Sequence, residues 1–408
     1  MVLGIAAVND WELRQLDVDM AYLEANVKEE LYIELPEDYR TSCDQMGRLQ
    51  KEMHGLVDAG LLWSKAISAE LAARGFEQCQ ADPCVFRRVL RGTVVVVLVV
   101  YVDDLLVVSE TKRDEQQAIN ALRSCFSIKD LGEARFYLGC HITWDRDAGT
   151  LKFDQHHYVR IMASKVSVEK ISTTPAAAGA KPLSKDDAPH TEVETEEIRV
   201  APYREAVGAL MWAVTMTRPD VAYAAHQLDK YNDNPGLVHW RTAKRALQYL
   251  WCTKDVGITY GGTPESCTKL SAWVDTDFAT SPDSRRSVSG GAVMVGGGAI
   301  GWFSRVQKVA AAASSESEYV ALAEVVNELR FLRQVKGFLT LPIDDNIIVR
   351  EDNEEAIKMA TNRFSNRRTR HVDVKHHNIV RDAVGSGVVR THYVKSGEQH
   401  ADVLMKAL

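Results

Sequence analysis

The segment VVVVLVVYVDDLLVV, residues 94–108, is the strongest structural signal in the chain. Its density of β-branched residues predicts two strands, and Asp103 with Asp104 predicts a hairpin whose tip carries two carboxylates. Two adjacent carboxylates between apolar strands are costly unless a cation neutralises them, and Mg²⁺ prefers such oxygen ligands. A solvated acidic turn without a metal ion is the alternative at this point.

A second acidic strand favours the metal interpretation. Residues 12–23, ELRQLDVDMAYL, are predicted to form an apolar strand that carries Asp17 and Asp19. A third carboxylate that faces Asp103 and Asp104 across a sheet would complete a two-metal site for phosphoryl transfer.

The composition is that of an ordinary globular protein, because 46% of the 408 residues are hydrophobic and 26% are charged. It excludes a wholly disordered chain, a collagen and a coiled coil.

The net charge of −7 argues mildly against a nucleic-acid binder, but a basic stripe can lie beside an acidic metal site. The seven cysteines lack zinc-ligand spacing, which favours reduced thiols in a cytoplasmic protein. The longest apolar run, residues 94–102, is too short to cross a bilayer, so no membrane partner is expected.

Changes in composition divide the chain into four parts and predict an α/β and α+β multidomain fold. Residues 1–172 mix strand and helix patterns, and residues 173–200 are predicted to form a flexible linker. Residues 201–268 have helical periodicity, and residues 269–408 alternate strands with helices as in a mixed α/β domain. Four acids that lie far apart in this last part converge only in a defined fold: Asp275, Glu318, Asp352 and Asp402.

Ordered motifs in the first part resemble the reverse transcriptase of copia-type retrotransposons. They are QLDV and AYL within residues 15–23, ADP at 81–83, YVDD at 101–104, KDLGE at 129–133 and FYLG at 136–139. The resemblance implies a partial right-hand polymerase palm in which Asp17, Asp103 and Asp104 hold two Mg²⁺ ions, with Mn²⁺ as a substitute.

The same resemblance implies contacts with deoxynucleotide and with template–primer nucleic acid. Tyr22 would lie beneath the incoming sugar, and a hairpin that grips the primer end would contain Phe136, Leu138 and Gly139. For Tyr22 and Phe136, ordinary packing on a strand face is the alternative.

The chain departs from this family at residues 54–63, HGLVDAGLLW. The family has Lys, Gln, Pro and Arg in a helix start that contacts template and nucleotide, and this chain has Val57, Asp58, Gly60 and Leu61 there. The chain also begins close to the first catalytic strand, so we expect the fingers to be absent. Both departures predict that polymerisation is weak.

A second set of motifs resembles the ribonuclease H domain of copia-type elements, joined by a helical thumb or connection. The motifs are DTD at 275–277, RRSVSG at 285–290, SESEYVAL at 315–322, DN at 352–353, RTRHVD at 368–373, and AD at 401–402 with KAL at 406–408. The resemblance implies that two Mg²⁺ ions are held by Asp275, Glu318, Asp352 and Asp402. The neighbouring acids Asp277, Glu316 and Glu351 are interpreted as solvated.

Basic residues near these acids are expected to contact the phosphates of an RNA–DNA hybrid. They are Arg285, Arg286, Arg368, Arg370 and Lys375. A solvated basic loop is the alternative.

Together these motifs predict a retrotransposon-derived enzyme in which hybrid cleavage is stronger than polymerisation. Other parts of a Pol polyprotein are expected partners, and a virus-like particle or the nucleus is the alternative location to the cytoplasm. A decayed or domesticated nucleic-acid-binding remnant is the second hypothesis, and a metal-dependent nuclease without a link to retrotransposition is the third.

Overall fold

The structure is a computed structural model that describes residues 1–42, 45–166, 171–177, 179, 181–261, 269–339, 346–361 and 374–407. The strands in these residues are β1 Glu12–Val18, β2 Tyr32–Glu34, β3 Met46–Arg48, β4 Phe76–Gln78, β5 Val85–Leu90, β6 Thr93–Tyr101, β7 Asp104–Ser109, β8 Ile128–Glu133, β9 Phe136–Tyr137, β10 Cys140–Asp145, β11 Thr150–Asp154, β12 Gly257–Gly261, β13 Ser271–Asp277, β14 Val288–Val295, β15 Gly298–Val306, β16 Ile347–Glu351 and β17 Val389–Tyr393. The α-helices are α1 Val2–Asn9, α2 Ala59–Ala73, α3 Lys112–Arg123, α4 His156–Val166, α5 Glu192–Arg199, α6 Tyr203–Met216, α7 Ala222–Asp229, α8 Leu237–Cys252, α9 Ser314–Phe338, α10 Glu354–Thr361 and α11 Val374–Gly385. None of these helices has the length and apolar character needed to cross a membrane.

A six-stranded antiparallel sheet contains the acidic hairpin, with strand order β4-β5-β6-β7-β1-β8. The predicted hairpin is confirmed, because β6 and β7 pair and leave Val102 and Asp103 as a two-residue turn. One face of the sheet buries Leu98 and Val107 in a hydrophobic cluster that also contains side chains of α2 and α3. Since β1 pairs with both β7 and β8, the sheet brings Asp17 to the same end as the turn.

A four-stranded antiparallel sheet, β12-β11-β10-β9, joins two parts that the sequence divided. Its strand β12 lies within residues 201–268, where helical periodicity was the prediction, and it pairs with β11. That prediction is right for α6, α7 and α8 and wrong for β12. The strand forms because Ile258 and Tyr260, two residues apart, are both buried in the core beside Leu151.

The described part of residues 173–200, the predicted flexible linker, contains short helical elements. Its described residues include a 3-10 turn at Lys185–Asp187 and the helix α5, and both elements contact α8. Side-chain caps start these elements, because Ser184 accepts a hydrogen bond from the Asp186 amide and Thr191 accepts one from the Glu194 amide. A single buried apolar residue in α5, Ile198, leaves no periodicity for sequence reasoning to detect.

The last part is a five-stranded mixed sheet with strand order β15-β14-β13-β16-β17. β15, β14 and β13 run antiparallel, and β13, β16 and β17 run parallel, which confirms the mixed α/β prediction. The parallel pairing places the carboxyl ends of β13 and β16 at one edge of the sheet. Beyond β17 the chain forms two 3-10 turns, Ser396–Glu398 and His400–Leu404. Ala401 and Leu404, three residues apart, are both buried, and that spacing suits a 3-10 turn.

Candidate functional site

The hairpin turn brings three carboxylates to one end of the six-stranded sheet. Asp17 pairs directly with Asp104 across β1 and β7, and the Val18 amide donates a hydrogen bond of 2.9 Å to the Asp103 carbonyl. Burial first, and then the charges of Asp103 and Asp104, raise the pKa of Asp17. These three predicted site residues are therefore close enough for mutual repulsion, which a bound cation would relieve.

A tryptophan from α2 fixes the turn that presents these acids. Val102 has φ of 56°, a left-handed conformation that is strained for a β-branched residue. The Trp63 Nε1–H donates a hydrogen bond of 2.7 Å to the Val102 carbonyl, and Gln15 donates one of 3.2 Å to the Asp104 carboxylate. No local sequence pattern predicts this role of Trp63, because its acceptor lies 39 residues further along the chain.

The predicted nucleotide- and primer-binding residues lie on two short elements. Tyr22 belongs to a 3-10 turn at Ala21–Glu24, beyond the end of β1, and its ring meets His54 edge-on at 4.8 Å. Phe136 is exposed at the start of β9, and its ring lies 5.1 Å from that of His141.

The turn after β9 has positive φ at Leu138, 50°, and at Gly139, 81°. Burial, and then the charge of Asp104, raise the pKa of Tyr137, the residue that precedes this turn. The roles proposed for Tyr22, Phe136, Leu138 and Gly139 stay predictions.

The second acidic cluster lies at the edge where β13 and β16 end. Asp275, Glu318 and Asp352 each offer a carboxylate oxygen, and these oxygens all lie within 4.8 Å of one another. Asp275 is on β13, Glu318 is in the first turns of α9, and Asp352 directly follows β16. Among the described residues, no other group of three or more potential metal ligands has its ligand atoms this close together.

Neighbouring groups hold these carboxylates in place. The Thr276 amide donates a hydrogen bond of 2.8 Å to Asp275, and the Ser396 hydroxyl donates one of 2.6 Å to Asp352. The Lys406 ammonium group lies 3.3 Å from an Asp275 carboxylate oxygen and 2.8 Å from an Asp402 carboxylate oxygen, so Asp402 lies near the other three acids although it stands outside the tight trio.

The electrostatics of this cluster fit a hard divalent cation. Asp275 is 2% exposed and Glu318 is 4% exposed, and burial followed by neighbouring carboxylates raises the pKa of both. The Glu318 Oε2 atom is buried without a hydrogen-bond partner. Carboxylate oxygens in this number are the ligands that Mg²⁺ prefers, so the residues present fit the ion that the motifs imply.

The position of Glu351 differs from the one predicted from the sequence. It was expected to be a solvated neighbour, but it is fully buried as the last residue of β16. The Asn353 amide donates a hydrogen bond of 3.0 Å to its Oε1, while its Oε2 is buried and unpartnered. Burial, and also the charges of Asp275 and Asp352, raise the pKa of Glu351. The alternation of buried residues along β16, Ile347, Val349 and Glu351, is the sequence signal that would have found it.

The predicted basic surface is described in part. Arg285 and Arg286 are exposed in the loop that precedes β14, and Arg285 has φ of 56°. Arg368 and Arg370 lie outside the described residues, and Lys375 lies in α11 without a described side chain. Contact of these residues with nucleic acid stays a prediction.

Comparison with known proteins shows what the chain is similar to. Residues 1–184 match the family described as reverse transcriptase (RNA-dependent DNA polymerase). The whole chain is 32% identical to the retrovirus-related Pol polyprotein from transposon TNT 1-94 of Nicotiana tabacum, and 30% identical to that from transposon RE2 of Arabidopsis thaliana. It covers 30% and 27% of the lengths of these two relatives. Among solved structures, the chain is similar to LC11-RNase H1, isolated from compost. The match covers 34% of this chain and 92% of the LC11-RNase H1 chain, at 14% sequence identity and a TM-score of 0.27.

Proposed function

Because the chain is similar over its whole length to Pol polyproteins of copia-type retrotransposons, we propose that it cleaves the RNA strand of an RNA–DNA hybrid. The observation that carries the proposal is the convergence of Asp275, Glu318 and Asp352 with a buried, unpartnered carboxylate oxygen. These acids come from three elements that are far apart in sequence, so local structure alone does not explain their meeting.

Asp275, Glu318, Asp352 and Asp402 would hold two divalent metal ions in this proposal. When bound, the ions supply Lewis-acid stabilisation of the phosphate and a water molecule that is more easily deprotonated. The chain's own contribution is to orient the ligands, since the Thr276 amide fixes Asp275 and the Ser396 hydroxyl fixes Asp352.

The exposed loop with Arg285 and Arg286 would bind the hybrid through its phosphates. This loop leads directly into β14, the strand that pairs with β13 beside Asp275. Binding of this kind depends on salt concentration and little on sequence, as suits an enzyme that reads the shape of a hybrid.

The test is cleavage of a labelled RNA–DNA hybrid in Mg²⁺ by the purified chain and by Asp352→Asn. We expect the wild type to cut the RNA strand and Asp352→Asn to lose cutting, because the variant removes one ligand charge from the trio. Asp233→Asn is the matched control, since Asp233 is fully exposed and pairs with Arg204 outside the cluster. If the wild type and Asp352→Asn are equally inert, the proposal fails, and hybrid binding without cutting would support a nucleic-acid-binding remnant.

RNA-directed DNA polymerisation is a second candidate function, favoured by the pairing of Asp17 with Asp104 beside Asp103. We expect it to be weaker than cleavage. Val57 and Leu61 stand where the family motif has Lys and Arg, and they are exposed apolar residues without charge for a triphosphate. Primer extension on an RNA template, with Asp104→Asn as the inactive control, measures this activity. Efficient extension by the wild type would contradict the expectation.

A further inference from the structure

Lys406 is a charged residue to which the proposed function gives no role. Its Nζ atom lies 2.8 Å from an Asp402 carboxylate oxygen and 3.3 Å from an Asp275 carboxylate oxygen. The ammonium group therefore bridges Asp275 and Asp402.

The backbone delivers this ammonium group from a firmly packed segment. The Lys406 amide donates a hydrogen bond of 2.9 Å to the Asp402 carbonyl, which closes one turn. Leu404 and Met405, just before it, are buried, and the Gln399 side chain donates a hydrogen bond of 2.9 Å to the Val274 carbonyl. The position of Lys406 beside Asp275 is thus set by the fold.

The side chain itself can leave, because it is 41% exposed. Lys406 also lines a cavity of about 190 Å³ together with Thr173, Thr174, Asp220 and Tyr249. This cavity gives the Lys406 side chain space into which it can move away from Asp275.

We propose that Lys406 is an internal counter-ion that occupies the Asp275–Asp402 pair and must be displaced before a divalent cation binds there. The inference rests on the proposed metal centre and adds a residue that limits the binding of a divalent cation there. A lysine ammonium is a compact point charge, so it neutralises the two acids without filling the coordination shell that a divalent ion would have. An ion held by Asp275, Glu318 and Asp352 can bind first, and the ion that Asp402 shares binds against the competition of Lys406.

The test is Mn²⁺ binding, followed by the electron paramagnetic resonance signal of the free ion. Every protein carries Asp17→Asn and Asp104→Asn, so that the hairpin site does not contribute. We expect Lys406→Met to tighten the weaker Mn²⁺ site about tenfold, the effect of removing a charge-assisted contact that is partly screened by solvent. Lys406→Arg, which keeps the charge, should bind Mn²⁺ like the parent protein.

Two further variants separate direct competition from a general loss of positive charge. Lys395→Met removes an exposed charge from the same C-terminal segment and should leave the affinity nearly unchanged. Asp402→Asn combined with Lys406→Met should lose the tightening, since the proposed shared ligand is gone. Urea unfolding of each variant shows whether it is folded.

The outcomes distinguish this inference from the proposed function. If the parent protein binds Mn²⁺ and Lys406→Met binds it with equal or lower affinity, the inference fails and the metal centre stands. If neither protein binds Mn²⁺ at the cluster, the proposed metal centre fails and the counter-ion role fails with it. Tighter Mn²⁺ binding by Lys406→Met, with parent-like binding by Lys406→Arg and Lys395→Met, supports the inference.

Discussion

Replacing Gly290 by alanine is expected to displace the segment that carries Asp402 and Lys406. A Cβ atom built on Gly290 would lie 3.0 Å from the Leu404 Cβ and 3.2 Å from the Ala401 carbonyl oxygen. Ordinary van der Waals contact begins at 3.4 Å, so the segment must retreat by a few tenths of an ångström. Leu404 and Ala401 are at most 1% exposed and have no room to yield. Over-packing of this kind costs about 1–3 kcal/mol of the free energy of unfolding.

The same displacement should also slow catalysis at the site. A displacement of about 1 Å in a catalytic constellation can cost about a hundredfold in rate, so a smaller shift of Asp402 should slow hybrid cleavage about tenfold. Urea denaturation measures the first effect, and cleavage at saturating Mg²⁺ under conditions where the variant is folded measures the second.

Gly301→Ala is the matched control, because Gly301 lies on the neighbouring strand β15 and its Cβ would meet the Leu332 Cδ1 at 3.9 Å. Like Gly290→Ala, this substitution restricts the backbone of the unfolded chain, but it creates no close contact in the folded protein. It should therefore leave the free energy of unfolding unchanged or raise it slightly. Equal unfolding midpoints and equal cleavage rates for Gly290→Ala and Gly301→Ala would refute the packing argument.

Two other substitutions test the six-stranded sheet. Trp63→Phe removes the hydrogen bond to the Val102 carbonyl and should lower the free energy of unfolding by about 1 kcal/mol; an unchanged thermal midpoint would show that the turn does not need it. The Asp130 carboxylate accepts two hydrogen bonds from Arg14, which hold its pKa below the ordinary value, and Asp130→Asn removes the negative charge and one of the two accepting oxygens. That stabilisation is present above the ordinary carboxyl pKa and is lost as pH falls through the lowered one, so the variant should cost about 1–3 kcal/mol at neutral pH. Urea unfolding should show the cost shrinking at strongly acidic pH, and a cost independent of pH would contradict this account.

The sequence predicted features that depend on local patterns. The β-branched run at residues 94–108 forms a hairpin because β-branched side chains pack well on a pleated surface, and the acids at its centre occupy the turn and the start of β7. The mixed α/β character of residues 269–408 was also predictable, since each strand and helix carries its own periodicity. The helical elements within residues 173–200 and the strand β12 were not predicted, because they depend on capping groups and neighbouring elements that a single segment does not reveal.

What the sequence determined by itself was the set of acids and their order along the chain, because motif spacing and strand ends are local properties. The tertiary structure decided which of those acids share a site. Glu351 was set aside as solvated, yet β16 turns it inward to a fully buried position, since alternate residues of a strand face opposite sides. Lys406 had no assigned role until the fold brought its ammonium group to Asp275, 131 residues away in sequence. Contacts of that separation follow from how sheets and helices pack, and no local pattern encodes them.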